Sequence, residues 1–143
     1  MGSAYYDWDA NWTVVDYDAG TDWTAVAVAD EGDLTSDAIS LDGKVACEIS
    51  VTCVEDNTGA CDGNVYIYIC RDVDGTNFED FTADDNDAPA LGCVIDPVQN
   101  KTRRKTFTID AGQVSKFKIA LDNDSGQELA TSVKIRYATV ATN

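Results

Sequence analysis

The feature that most constrains this chain is a two-residue alternation of apolar and polar side chains. Over residues 45–53 one face reads Val45, Cys47, Ile49, Val51, Cys53, and the other Ala46, Glu48, Ser50, Thr52. Extended backbone points successive side chains to opposite sides, so such a segment buries one face and wets the other. Residues 115–121 set Phe117, Ile119 and Leu121 against Lys116 and Lys118, and residues 133–137 set Val133, Ile135 and Tyr137 against Lys134 and Arg136. Residues 103–110 alternate in the same way through Lys105, Phe107 and Ile109. Residues 65–70 are apolar or aromatic on both faces, which predicts a central strand. Residues 23–29 and 37–41 are further strand candidates. Residues 80–100 hold both prolines and read as a long loop with a short strand near 91–95.

Turn signals separate these runs: Asp42-Gly43, Asn57-Thr58-Gly59, Asp62-Gly63, Asp74-Gly75, Ala111-Gly112 and Asn123-Asp124-Ser125-Gly126. No window has helical periodicity. Eight to ten short strands at regular spacing predict an all-β fold, an antiparallel β-sandwich with jelly-roll-like character. The expected organisation is an N-terminal arm over residues 1–12, rich in aromatics and acids, followed by one sandwich domain over 13–143. At 143 residues the chain is long enough for a single core.

Charge narrows the function. The 26 acids against 10 bases give a net charge of −16. Such a surface repels nucleic acid and anionic membranes, so neither is an expected partner. The start carries no basic segment followed by an apolar run, and the expectation is synthesis in a cytoplasm. Histidine is absent, and with it the commonest acid–base catalyst. No G-x-S-x-G, phosphate-binding loop or dinucleotide fingerprint is present. Carboxylate pairs occur by chance among 26 acids. The expected function is therefore not enzymatic. Five cysteines cannot all pair within one chain, so most read as small core residues, with one or two disulfides open in an oxidising setting.

Four groups are candidate sites. Asp72, Asp74, Thr76 and Asp80 place hard oxygen ligands at alternating positions, which suits calcium. The full EF-hand pattern is absent, and the segment reads first as a hairpin whose Asp74-Gly75 pair makes the turn. The acids Asp80, Asp84, Asp85 and Asp87 form a second acidic loop. Tyr5, Tyr6, Trp8 and Trp12 are interface anchors if the N-terminus is an arm, because Tyr and Trp bury much area at low entropic cost. Otherwise they open the first strand and cover this domain's own core. Arg103, Arg104 and Lys105, with Lys101, are a basic cluster in an acidic chain. They give the expectation that copies pair head to tail, basic face to acidic face. Three N-x-S/T sequons begin at Asn11, Asn100 and Asn123 and matter only in a glycosylating pathway.

The Leu41-Asp42-Gly43 turn, the segment Arg71–Phe78, the Ser115–Lys118 strand and the Asn123-Asp124-Ser125-Gly126 turn before Val133–Tyr137 carry a resemblance. Over residues 39–140 the pattern resembles small β-sandwich structural proteins of tailed bacteriophages. The resemblance implies a virion component, a head decoration (cement) or tail-associated protein. Its partners would be a major capsid or tail protein and copies of itself, in an oligomer, with no cofactor beyond a calcium ion at the site above. The rival reading is a carbohydrate-binding or adhesion β-sandwich, in which exposed aromatics stack on sugar rings. An acidic extracellular fibre subunit is the third. Where the aromatics point discriminates them: an exposed row favours sugar, a buried or partner-covered set favours assembly.

Overall fold

The computed structural model describes residues 4–56, 58–81 and 89–142. In chain order the strands are β1 (Ala4–Trp8), β2 (Thr13–Val14), β3 (Asp16–Tyr17), β4 (Thr21–Asp22), β5 (Val26–Val28), β6 (Asp33–Thr35) and β7 (Ile39–Ser40). Six longer ones follow: β8 (Ala46–Val54), β9 (Asn64–Arg71), β10 (Ala90–Ile95), β11 (Thr102–Asp110), β12 (Lys116–Asp124) and β13 (Leu129–Thr142). All pairings are antiparallel. The first sheet runs β1-β13-β8-β11, with β2 and β5 also on β13; the second runs β10-β9-β12-β6, with β7 also on β12. The expected antiparallel sandwich is the fold.

The alternation does what it predicts where it is long. Cys47, Ile49, Val51 and Cys53 of β8 are buried, as are Phe117, Ile119 and Leu121 of β12 and Val133 and Ile135 of β13. These side chains meet between the sheets in one core, with Trp23 fully buried among them. The Trp23 indole N–H donates to Thr131 Oγ1 at 2.8 Å, and the Thr131 hydroxyl donates on to the Val26 carbonyl at 3.0 Å. A buried indole left unpaired would cost about 1–3 kcal/mol, which this relay avoids.

Between residues 13 and 40 the structure departs from expectation. Thirteen strands form among the described residues, against eight to ten expected, because this stretch breaks into pieces of two or three residues. The backbone turns left-handed at Asp18, Ala19, Gly20, Ala25 and Glu31. Each such residue ends an extended run. Ala25 (φ 51°) shortens the strand expected over 23–29 to Val26–Val28, and its amide is held by Ser132 Oγ at 2.9 Å. Residues 4–8, expected in an arm, pair with residues 138–142 as the edge of the first sheet.

Two buried polar residues tie the loops to the core. Glu55, at the end of β8, is 1% exposed. Its carboxylate accepts the Thr58 amide (2.6 Å), the Thr58 hydroxyl (2.5 Å), the Gly59 amide (3.2 Å) and the Asn100 amide (2.8 Å). The Thr58 hydroxyl and these amides hold the carboxyl down at about 2. Asn123 is fully buried, and its side-chain N–H₂ donates to the carbonyls of Val28, Ala29 and Gln127 at 3.0, 3.2 and 2.8 Å. The five cysteines are unbridged, and burial pushes the Cys47 and Cys53 thiols up to about 12.

Candidate functional site

The N-terminal aromatics fall into two kinds. Tyr5 and Tyr6 are 46% and 50% exposed on the edge strand, beside Val140 at 54%. Trp8 and Trp12 instead enclose a cation. The Arg136 guanidinium lies 5.3 Å from the Trp8 ring centre and 5.0 Å from that of Trp12. The same guanidinium donates to both carboxylate oxygens of Glu48, the shortest at 3.1 Å. Arg136 and Glu48 are register partners on the outer face of the first sheet. Indole faces draw the cation and the carboxylate orients it. The four residues form one clamp that fastens the N-terminal turn to the sheet.

The expected calcium ligands serve a turn. Asp72 Oδ1 accepts the amides of Asp74 (3.1 Å) and Gly75 (2.7 Å). Asp74 accepts the amides of Thr76 (3.0 Å) and Asn77 (2.7 Å), and the Asn77 side-chain amide at 2.7 Å. Gly75 supplies the left-handed φ of 94° that this reversal needs. The Asn77 side chain and the two amides keep the Asp74 carboxyl at about 2. Arg71 and Glu79 close the base of the hairpin with an ion pair at 2.8 Å. Asp80 lies beyond Phe78, lining a cavity of about 570 Å³ with Lys118 and Phe81. Among the described residues no group of three or more His, Cys, Asp or Glu gathers where a metal could sit. Asp84, Asp85 and Asp87 lie outside the described residues.

Arg103, Arg104 and Lys105 stand exposed on β11, an edge strand of the first sheet that pairs with β8. Trp8 lies on β1, at the other end of that sheet, whereas the clamp's Glu48 lies on β8, the strand that β11 pairs with, four residues along from Thr52, the partner of Arg104. The structure thus does not gather the seven expected interface residues into one surface.

A different set does come together. Tyr66 and Tyr68 of β9 stack at 6.5 Å between ring centres, with 27° between planes, and Phe81 sits 5.0 Å from Tyr68 at 33°. Their strand neighbours Val65 and Ile67 are buried, so the tyrosines point outward from the second sheet, half-buried. The predicted central strand is what forms: β9 lies between β10 and β12, and of its two apolar or aromatic faces one enters the core. Across the sheet Tyr66 stands opposite Asp122, and Tyr68 opposite Ala120, both partners being buried. One strand further, Asp33 is opposite Asp122 and Thr35 opposite Ala120. Burial raises the Tyr68 phenol above its usual range, and the Asp122 carboxylate adds to that. The phenol therefore stays protonated and able to donate. At the far end of the face, Lys116 and Lys118 place their ammonium groups 5.7 and 4.8 Å from the Phe78 ring centre.

The result is a floor of three rings whose neighbouring planes differ by 27° and 33°, with Asp33 and Asp122 on one side and the Lys116 and Lys118 ammonium groups at the far end. Apolar ring faces with polar groups at the rim are what a ligand with apolar faces and a hydroxylated edge requires. The signal in the sequence was the Tyr-x-Tyr spacing, which puts both rings on one face. Phe81 and Asp122 carry no local signal.

No protein-family model matches this sequence, and no curated protein matches it. Solved structures do. The CBM36-1 domain of a multidomain xylanase from the hindgut metagenome of Trinervitermes trinervoides matches with a TM-score of 0.51 at 13% identity, over 89% of this chain and 96% of that one. The xylanase 10B modules CBM22-1–GH10 of Clostridium thermocellum, complexed with xylohexaose, match at 0.47 and 15% identity, over 91% of this chain and 26% of that one. A carbohydrate-binding module CBM36, in complex with calcium and xylotriose, matches at 0.45 and 13% identity, over 96% and 99%. The first of these shares the β-sandwich fold with this chain.

Proposed function

We propose that this chain is a non-catalytic carbohydrate-binding module whose ligand lies along the outer face of the second sheet. The observation that carries the reading is the Tyr66–Tyr68–Phe81 floor, whose ring planes lie within 33° of their neighbours. A pyranose ring presents C–H groups on its faces and hydroxyls around its edge. The C–H faces stack on the rings, and the hydroxyls find Asp33, Thr35 and Lys118 at the rim. The site needs no covalent step, and its groups are acceptors, donors and apolar faces. The fold shared with a xylanase module supports the same class of ligand.

The test is affinity electrophoresis and calorimetry against soluble xylans, β-glucans and mannans. The wild-type chain is compared with Tyr66→Ala/Tyr68→Ala, whose fold is checked by circular dichroism. Retardation by at least one glycan, lost in the double variant, is the expected result. A wild-type chain that migrates unchanged through every glycan would falsify the reading.

Assembly is the second reading, and one observation favours it. Tyr6 and its register partner Val140 form an exposed apolar strip on one face of the edge strand β1, with Tyr5 exposed on the other, and such an edge invites strand pairing. A virion structural role would use this strip. Light scattering of the intact chain and of Tyr5→Lys/Tyr6→Lys tests it: a monomer in both cases removes the reading.

A further inference from the structure

We propose that a slot between the edges of the two sheets binds the carboxylate of a uronic-acid side group on an otherwise neutral glycan. The inference rests on the carbohydrate reading and names a substituent that the ring floor alone does not select. The slot has a volume of about 350 Å³ and is lined by Val94, Ile95, Asp96, Arg103, Arg104 and Lys105. Two inward cations, Arg103 and Lys105, thus face one carboxylate, with Arg104 at the slot's rim, in a protein whose net charge is −16.

Register explains why the charges point there. Arg103 stands opposite Cys53 and Lys105 opposite Val51, both core residues, so both cations project from the inward side of an edge strand. With no further strand beside β11, they reach the gap next to β10. Lys105 lies close enough to Cys93 of β10 to offset part of the upward push that burial gives that thiol. Arg104 points to the outer face, where its Nε donates to Thr52 Oγ1 at 3.2 Å. Among the described residues neither Arg103 nor Lys105 has a carboxylate within 4.0 Å; the ion pairs there are Arg71–Glu79 and Arg136–Glu48. Inward charge on an edge strand also deters strand addition. That role needs no cavity and no neighbouring ring floor.

The slot adjoins the floor. Val94, which lines it, is the register partner of Tyr66. The step from β9 to β10 is one strand spacing, about 4.8 Å. A side group that leaves a sugar stacked on Tyr66 and crosses β10 therefore ends at the slot. The surrounding field restricts what that ligand can be. A dense polyanion such as nucleic acid or a heavily sulfated glycan meets repulsion everywhere outside the slot. A neutral main chain with isolated carboxylates meets the cations without that penalty.

Calorimetry with two probes tests this: xylohexaose, and xylohexaose carrying a single glucuronosyl branch. The wild-type chain is compared with Arg103→Gln/Lys105→Gln, which keeps the polar edge. We expect the branched probe to bind the wild type about fivefold more tightly, as for one partly exposed ion pair of about 1 kcal/mol. The preference disappears in the variant while affinity for xylohexaose itself is unchanged, and it shrinks in high salt. Equal affinity of the wild type for the two probes overturns the slot and leaves the ring floor standing. If the wild type binds neither xylohexaose nor any glycan of the wider survey, the carbohydrate reading fails and the slot with it.

Discussion

Two aromatic groups sit on opposite outer faces of the sandwich, and the difference between them lies in what occupies the ring faces. Trp8 and Trp12 hold Arg136 between them, and Glu48 fixes the guanidinium from a third side. Those rings have their partner inside the molecule. Tyr66, Tyr68 and Phe81 have only one another, at 6.5 and 5.0 Å, with no cation over them within the described residues. The clamp fastens the chain's beginning to its end. The floor is open to something else. Aromatic content alone would rank the tryptophan group first as a binding site; occupancy of the ring faces reverses the ranking.

The sharpest way to break this contrast is to remove rings from each side. Tyr66→Ala/Tyr68→Ala should weaken glycan binding about a hundredfold, as for two buried anchors, with the melting temperature little changed. Trp12→Ala should leave calorimetric affinity unchanged. If affinity follows Trp12 and not the tyrosines, the two groups have been assigned the wrong way round.

Next in size is the clamp's own contribution. Arg136→Ala leaves two indole faces and the Glu48 carboxylate without their shared partner. Differential scanning calorimetry should show a fall of about 6 °C, as for the loss of about 1.5 kcal/mol. Glycan affinity should stay where it was.

A pH series probes the frame on which both groups stand. Glu55 closes the loop after β8, the strand that carries Glu48, and its folded pKa of about 2 lies below the ordinary 4.5. The unfolded chain therefore takes up the proton first as pH falls. The stability Glu55 contributes is complete above about pH 4.5 and is lost as pH drops towards 2. In Glu55→Gln the melting temperature should already be lower at pH 7, and its further fall between pH 5 and 2 should be shallower than in the wild type. Parallel curves would remove Glu55 as a source of acid sensitivity.

The smallest effect belongs to a single hydroxyl. Tyr68→Phe keeps the ring and removes the donor, so affinity should drop about threefold, the value of one exposed hydrogen bond. No drop means that the ring face alone carries the contact.

The long strands were legible because β8, β12 and β13 offer four or more alternating positions, enough to fix both type and facing. Between residues 13 and 40 the strands have two or three residues, too few to display a period, and left-handed residues such as Ala19, Ala25 and Glu31 are not of the type that announces a turn. The ring floor was not legible for a different reason. Tyrosine is apolar enough to pass as core and polar enough to sit at a surface, so Val65–Cys70 fits full burial as well as a half-open face. Glu55 could not have been singled out. It is one acid among 26, and only the four donors converging on it mark it as buried structure.

The position of Asn123 bears on how the protein can be produced. Its side-chain nitrogen is the atom an oligosaccharyltransferase would modify, and it is fully enclosed with three carbonyls around it. Once the chain has folded, that sequon is closed, whereas Asn11 and Asn100 lie on exposed loops. A eukaryotic secretory host that folds the domain before the enzyme reaches Asn123 would decorate two asparagines. One that is slower would trap a glycan inside the barrier between β5 and β12 and yield misfolded material.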